Sequence, residues 1–183
     1  QEDLENSVEV FLTDDSEPGV DRFIRWRVNL AVDNSDLEGP PVVMETEPSY
    51  TNLFGTIERS LLPSGDTSTT FMRIRAGSLL RANGGYLVVN AEDILMEPRV
   101  WPGLKRALRY RRVQIQALEP IMLGAALLKP EPVPLDLKVV VIGDRHIYDL
   151  LYRRDADFPK IFKVLADFDS VIQRTPEHAR DVL

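Results

Sequence analysis

The chain has 183 residues, 44% of them hydrophobic, which suffices for one domain with a buried core. Its formal charge of −7 and isoelectric point near 4.9 argue against binding to duplex DNA or to an anionic membrane, since both require a surplus of basic residues. The absence of cysteine excludes disulfides, thiolate metal sites and cysteine nucleophiles, and two histidines leave little for a metal cluster.

The chain also lacks the sequence features of membrane insertion and secretion. No apolar stretch approaches the roughly 20 residues that a membrane-spanning helix requires. The acidic start, Gln1-Glu2-Asp3, has neither the basic nor the apolar part of a signal peptide. We therefore expect a cytoplasmic protein with neither a nucleic acid nor a membrane as partner.

The first third of the chain contains few regular elements. Leu4, Val8 and Phe11 recur at helical spacing without a start signal, which predicts the end of an upstream helix over residues 1–15. Residues 26–32 alternate like a strand, and residues 42–44 form a second short one. The segment 45–70 is polar and loop-rich, with Leu53-Phe54 as an apolar island.

The rest of the chain alternates between strands and helices. An Asn-Gly-Gly turn at 83–85 separates a helix from an apolar run that predicts a strand buried on both faces. The run at 137–144 is the strongest strand signal and is expected to be central and buried. Trp26 and Trp101 are expected to be core or half-buried aromatics. The predicted elements are helices at 74–82, 100–111, 147–154 and 158–165, strands at 86–89, 113–117, 137–144 and 169–172, and a hairpin or extended insertion at 120–134.

This order predicts an α/β domain with a parallel sheet and right-handed crossovers. The predicted domain spans residues 22–175. The Thr-Pro-Glu pattern at 175–177 opens a further helix, so that residues 176–183 are expected to begin a helical subdomain.

Several segments in the same order resemble the AAA+ region of Lon-type proteases, over about residues 26–176. Those segments read NLFG at 52–55, RAGSLLRANGGYLVV at 75–89, LKRAL at 104–108, PVPLDLKVVVIGD at 132–144 and DFPKIFKV at 157–164. The best match is a bacterial Lon-like subfamily that includes degenerate ATPase modules, of which LonC is the ATP-independent extreme. The resemblance implies a three-layer α/β domain of the AAA+ (P-loop NTPase) type.

In that family the run at 86–89 would be the Walker B strand, followed by two acidic residues that hold hydrated Mg²⁺ and activate water. This chain has Asn90 and Ala91 there, and it contains no GxxxxGK[ST] phosphate loop. The resemblance therefore implies a degenerate nucleotide site without bound ATP, metal or catalytic residue. A register slip that recruits Glu92 and Asp93 as the acidic pair is the alternative, and it would require the strand to continue past Ala91.

Two further positions depart from the family pattern. Asp144 follows the strand at 137–144, where Lon-like modules often carry an Asn that orients water, and a carboxylate there would repel phosphate. Lys163 falls at the arginine-finger position, which would reach the nucleotide of a neighbouring subunit, and Lys lacks the planar fork of Arg. His146 lies where α/β folds bind ligands, although capping or packing beside Asp144 is the simpler interpretation.

The resemblance also implies a pore loop that grips unfolded polypeptide, formed by Leu53, Phe54 and Gly55 with Tyr50 beside it. An exposed apolar pair next to a glycine can contact many sequences. The alternative is that Leu53 and Phe54 pack beneath the loop into the core.

The leading functional hypothesis is a non-catalytic module for substrate recognition and oligomer assembly in a Lon-like Ser-Lys protease. Its expected partners are unfolded polypeptides, further copies in a homo-oligomer of hexameric type, and a covalently continuous protease domain. Two alternatives are a fragment of an active ATP-dependent module and a chaperone-like domain that holds unfolded proteins through its apolar loop.

Overall fold

A computed structural model of the chain describes residues 24–58, 60–61, 67–68, 70–116 and 128–168. The predicted helix over 1–15, the strand at 169–172 and the helical start at 176–183 lie outside these residues. Most of the predicted insertion at 120–134 also lies outside them.

Three parallel strands form the central sheet. They are β1 (Val42–Glu45), β6 (Tyr86–Asn90) and β9 (Lys138–Ile142), in the spatial order β1-β6-β9. Between and around them lie β2 (Thr56–Ile57), β3 (Ser60–Leu61), β4 (Thr67–Ser68), β5 (Ile74–Arg75), β7 (Arg112–Val113) and β8 (Val133–Pro134), which form three antiparallel pairs, β2 with β5, β3 with β4 and β7 with β8. The predicted α/β class with a parallel sheet is confirmed.

Six helices accompany the strands. They are α1 (Tyr50–Phe54), α2 (Ser78–Arg81), α3 (Ala91–Met96), α4 (Val100–Tyr110), α5 (Arg145–Arg154) and α6 (Phe158–Ile161), and they are counted among the described residues only. The predicted helices at 100–111 and 147–154 are confirmed, and the one predicted at 158–165 ends already at Ile161. The helix predicted within 74–82 is confirmed from Ser78 onwards, and Ile74–Arg75 before it pairs with Thr56–Ile57 as a strand.

The prediction of a strand at 26–32 is wrong. Residues Ile24–Trp26 form a short 3₁₀ turn, and the residues after it are not paired in a sheet. Trp26 is 63% exposed, so it is not the core or half-buried aromatic that was expected. Because residues 26–32 pair with no strand among the described residues, no sheet is present that would bury every second side chain of this segment. Trp101, by contrast, is buried as expected.

The sheet buries one face and leaves the other open to solvent. Leu87 and Val89 of β6 are fully buried, whereas Val42 and Met44 of β1 are about two-thirds exposed, at 68% and 66%. Parallel pairing places Met44, Val88 and Val140 in one row on the open face, and Ile142 is exposed one row further on. The expectation that residues 86–89 and 137–144 are buried on both faces is therefore wrong, and β9 is an edge strand within the described residues.

A tight turn ties the amino ends of the three strands together. Gly84 has a φ of 85°, and a side chain on Gly85 would collide with the backbone of Pro41. Asn83 accepts a hydrogen bond from the Asp136 N–H at 2.7 Å and donates one to the Pro134 carbonyl at 3.1 Å. The predicted turn at 83–85 is confirmed, and its residues set the alignment of β6 with both neighbouring strands.

Helix α4 supplies one side of the core. Val100, Leu104 and Ala107 are buried on the face that packs with the other core residues. In the first half of this helix, Trp101 Nε1 and Lys105 Nζ donate hydrogen bonds to Asp155 at 2.8 Å and 2.6 Å. Partial burial raises the pKa of Asp155, but these two hydrogen bonds and one from a backbone N–H outweigh it and lower the pKa below its ordinary value of 3.8.

Candidate functional site

Polar side chains end all three strands at the carboxyl edge of the sheet. Glu45 is the last residue of β1, Asn90 is the last residue of β6, and Asp144 follows β9. Pairing of Glu45 with Val89 and of Asn90 with Ile142 brings these ends side by side. Ligands of open α/β sheets bind at this edge, so it is the first place to look for a site.

The side chain of Asn90 serves as the amino-terminal cap of α3. Its Oδ1 atom accepts a hydrogen bond from the Glu92 N–H at 2.9 Å, which satisfies one of the free donors at the start of that helix. The amide carries no charge. Asn90 thus lies at the strand end, as predicted, and its oxygen is engaged by the protein's own backbone.

Ala91 leaves no room for a longer side chain. It is only 2% exposed, and a Cβ atom built on Gly143 would lie 2.9 Å from the Ala91 Cβ atom. This close approach leaves no room for a side chain at Gly143. Because Ala91 is buried, a water-activating carboxylate at position 91 would have to displace the residues that cover it.

Glu92 and Asp93 lie in the first turn of α3 and not on the strand. The strand ends at Asn90 and the helix begins at Ala91, so the strand does not extend past Ala91 as the alternative with Glu92 and Asp93 requires. Acidic residues in the first turn interact favourably with the helix dipole, which accounts for them without a metal. Among the described residues, no group of three or more His, Asp or Glu side chains could hold a metal ion.

Asp144 caps α5 in the same way as Asn90 caps α3. Its Oδ1 atom accepts a hydrogen bond from the Ile147 N–H at 2.9 Å. His146 is exposed in the first turn of that helix, and the capping role expected of it belongs to Asp144 instead. Asn90 at the end of β6 and Asp144 after β9 are therefore both helix caps.

Glu45 is a functional candidate that the sequence analysis did not single out. Its carboxylate accepts a hydrogen bond from the buried Ser78 hydroxyl, and Arg81 Nη2 lies 3.2 Å from the same oxygen. The Glu45 side chain is only 10% exposed. The sequence feature that could have identified Glu45 is its position as a carboxylate directly after the apolar run 42–44. The charge is held and balanced by Arg81, so this group fixes α2 against β1.

Lys163 does not join the carboxyl edge. It lines a cleft of about 990 Å³ together with Lys138, the first residue of β9, and the residues just before that strand. Strand β9 runs from this cleft towards Asp144, so Lys163 and Asp144 are associated with opposite ends of the sheet. Asn90, Ala91, Glu92, Asp93 and Asp144 gather at the strand ends. Lys163 lies elsewhere in the chain, and its predicted place at the nucleotide of a neighbouring subunit stays a prediction.

The predicted apolar loop is not exposed. Leu53 is 0% and Phe54 4% exposed, and Gly55 is also buried, so the interpretation as an exposed polypeptide-gripping pair is wrong and the packing alternative is confirmed. The reason is local. Ser49 caps α1, and the Phe54 ring occupies the space beside Gly103, where a Cβ atom would lie 2.8 Å from it. Tyr50 stacks on Phe54 at 4.4 Å and is half-buried.

A close contact between the backbones at Gly55 and Gly77 holds Leu53 and Phe54 in their buried positions. Gly55 has a φ of 86°, and side chains on Gly55 or Gly77 would each collide with the backbone of the other segment. The backbones of α1 and of the approach to α2 therefore pack directly against each other. This contact fixes Leu53 and Phe54 in the core.

The family model for the LonB-like AAA domain matches residues 38–169, which is most of the chain. The chain belongs to the LonB-like AAA domain family. In this LonB-like domain the matched region includes the whole parallel sheet and all six helices of the described residues.

Comparisons with individual proteins add little to this assignment. No curated protein matches this LonB-like domain. A crystal structure of NtrX from Brucella abortus is similar over 68% of this chain and 25% of that chain, with 17% sequence identity and a TM-score of 0.41. The LonB-like domain thus spans about a quarter of the length of NtrX. No helix among the described residues is long and apolar enough to cross a membrane.

Proposed function

We propose that this LonB-like AAA domain does not hydrolyse ATP and acts as an assembly and substrate-recognition module of a Lon-like Ser-Lys protease. One observation carries the first part: where an AAA site needs two carboxylates, the Asn90 oxygen is committed to the Glu92 N–H and Ala91 is packed against Gly143. The residues present do not fit a hydrated magnesium ion. The protease partner rests on the family alone.

The loss of rate expected when both carboxylates are missing supports a module that does not hydrolyse ATP. Removal of a general base slows a reaction by about 10²- to 10⁴-fold, and loss of the metal-binding charge weakens nucleotide binding as well. Glu92 and Asp93 do not compensate, since they lie on α3 beyond the strand end. We infer that nucleotide, where it binds at all, would have a structural role.

The test measures ATP turnover and Mg²⁺-dependent ATP binding by the full-length protein and by its Glu92→Gln and Asp93→Asn variants. We expect the wild type to have no turnover above a no-enzyme control and no gain in affinity from Mg²⁺. Turnover that is lost in either variant would show that Glu92 or Asp93 forms the acidic pair, and the proposal would fail. Lys129, which is exposed, provides a matched control substitution to Gln.

We propose that unfolded polypeptide is recognised by a surface other than the apolar loop, because Leu53 and Phe54 are buried. The open sheet face favours the chaperone-like alternative, since contiguous exposed apolar surface often marks a binding site. Met44 lies in the middle of this face. Met44→Lys should abolish any suppression of aggregation of a denatured client protein, whereas Leu150→Lys, on the exposed side of α5, should not. Equal activity of both variants would exclude the face as the binding surface.

A further inference from the structure

The cleft that contains Lys163 is unusually basic for this protein. It lies between the end of α4, the residues leading into β9, and α6 with the segment after it. Its lining includes two carboxylates, Asp136 and Asp157, and five cationic side chains, namely Arg109, Arg111, Lys138, Lys160 and Lys163. The cleft therefore has a surplus of three positive charges in a chain whose net charge is −7.

Most of these positive charges have no partner within the part of the chain that the structure describes. Arg109 pairs with Asp157 at 2.5 Å. The side chains of Arg111, Lys138, Lys160 and Lys163 have no ion pair or hydrogen bond there, and all four residues are exposed. Clustered cations that repel one another attract a multiply charged anion and favour its binding.

The floor of the cleft is apolar. Leu135 is only 5% exposed, and Leu137 and Phe162 are half-buried against the core. A ligand that uses the whole cleft must therefore combine negative charges with apolar side chains. An acidic polypeptide segment meets both conditions, whereas a bare phosphate chain would use only the rim.

This chain itself contains a segment of that composition. Residues 2–17 carry seven carboxylates and no Lys or Arg, and they include Leu4, Val8 and Phe11. We propose that residues 2–17 bind in the basic cleft through ion pairs with Lys138, Lys160 and Lys163 and apolar contacts with its floor. The segment belongs to the same chain, because a covalent tether raises its effective concentration at the cleft above that of a separate copy. This proposal is independent of the proposed function.

Zero-length carbodiimide crosslinking of the full chain, read by mass spectrometry, tests the proposal directly. The reagent joins carboxylates to amines that are already in contact. We expect crosslinks from residues 2–17 to Lys138, Lys160 and Lys163, at several times the yield at Lys129, an exposed lysine outside the cleft. The yield should fall at 0.5 M NaCl, because salt screens exposed ion pairs. A yield equal to that at Lys129 would overturn the proposal.

An equimolar mixture of ¹⁴N- and ¹⁵N-labelled chains identifies the source of the segment. If the segment binds within its own chain, each crosslink joins peptides of the same isotope. Dilution of the protein then leaves the crosslink yield unchanged. Mixed-isotope crosslinks would mean that a neighbouring copy supplies the segment, and the proposal would be wrong.

Charge reversal provides the second arm. Lys160→Glu combined with Lys163→Glu should lower the remaining crosslinking at Lys138 about tenfold, because two exposed ion pairs become repulsions. Introducing Glu5→Lys and Glu9→Lys into that variant should restore contact, now read by fluorescence quenching between labels in the segment and the cleft. Arg106→Glu, on an exposed part of α4 outside this cleft, is the matched control and should leave the crosslinks unchanged.

Unchanged Lys138 crosslinks in the double variant, with a native circular dichroism spectrum, would overturn the proposal. Inorganic tripolyphosphate separates the two ligand classes. If it binds in a manner that depends on Lys160 and Lys163 while residues 2–17 form no crosslinks to the cleft, the site is a phosphate site and the proposal is wrong. A fall in crosslink yield when tripolyphosphate is added before the reagent supports the proposal, because both ligands then compete for the same cations.

Discussion

Replacing Ala91 with Glu tests whether the vacant carboxylate position is closed by packing or is merely occupied by a different residue. Ala91 is 2% exposed, and the Cβ position of Gly143 lies 2.9 Å from its Cβ atom. Overpacking a site of this kind costs about 1–3 kcal/mol, and burying an unpaired carboxylate costs several more. We expect Ala91→Glu to lower the free energy of unfolding by at least about 3 kcal/mol.

Asn90→Asp is the matched control because it restores the other missing charge without the steric problem. Asp caps helices about as well as Asn, so the free energy of unfolding should change by less than about 0.5 kcal/mol, whereas Asn90→Ala should cost about 1 kcal/mol. Urea unfolding at pH 7, followed by circular dichroism, measures all three. If Ala91→Glu were as stable as the wild type, the site would have room for a carboxylate and the packing argument would be wrong.

Further predictions concern the core and its ionised groups. Asp155→Ala should cost about 2–3 kcal/mol in urea unfolding, because it leaves the buried Trp101 N–H and the Lys105 charge without their acceptor; a loss under 0.5 kcal/mol would contradict this. The lowered pKa of Asp155 stabilises the fold above the ordinary, unfolded-state value of 3.8, and this contribution is lost as the pH falls through the folded value. Asp155→Asn should therefore show a shallower decline in stability between pH 5 and pH 2 than the wild type, and parallel curves would refute the assignment. Phe54→Ala should cost about 3–5 kcal/mol, as for other buried aromatics, whereas an exposed loop residue would cost almost nothing. Gly77→Ala should destabilise by more than about 1 kcal/mol in the same assay, since its Cβ meets backbone that cannot move aside; a neutral result would show that α1 can shift.

The three sheet strands were predictable because each is a short apolar run of β-branched residues between turn signals. Their positions in the sheet were not, since an apolar run does not reveal its neighbours. The run that ends at Ile142 looked central, yet among the residues that the structure describes it is an edge strand with every second residue exposed. An apolar run therefore does not show that both faces of a strand are buried, since a strand with one buried face can also consist mainly of apolar residues.

The candidate site was located by resemblance, and its interactions required the structure. Sequence alone placed Asn90 and Asp144 after their strands but gave no sign that both serve as helix caps. The burial of Phe54 depends on Gly103, which is 49 positions further along the chain. The partners of Glu45 are likewise distant in sequence, and a local pattern contains no information about such contacts.

The order of the strands has a consequence for how the domain folds. Strand β6 lies in the middle, and its two neighbours come from segments about 40 residues before it and about 50 residues after it. Both pairings therefore close long loops before any hydrogen bond between strands can form, which makes folding slow compared with a helical bundle of similar size. During synthesis β6 can acquire only its first neighbour until Ile142 has emerged from the ribosome, and one edge of the central strand stays available to other chains until then.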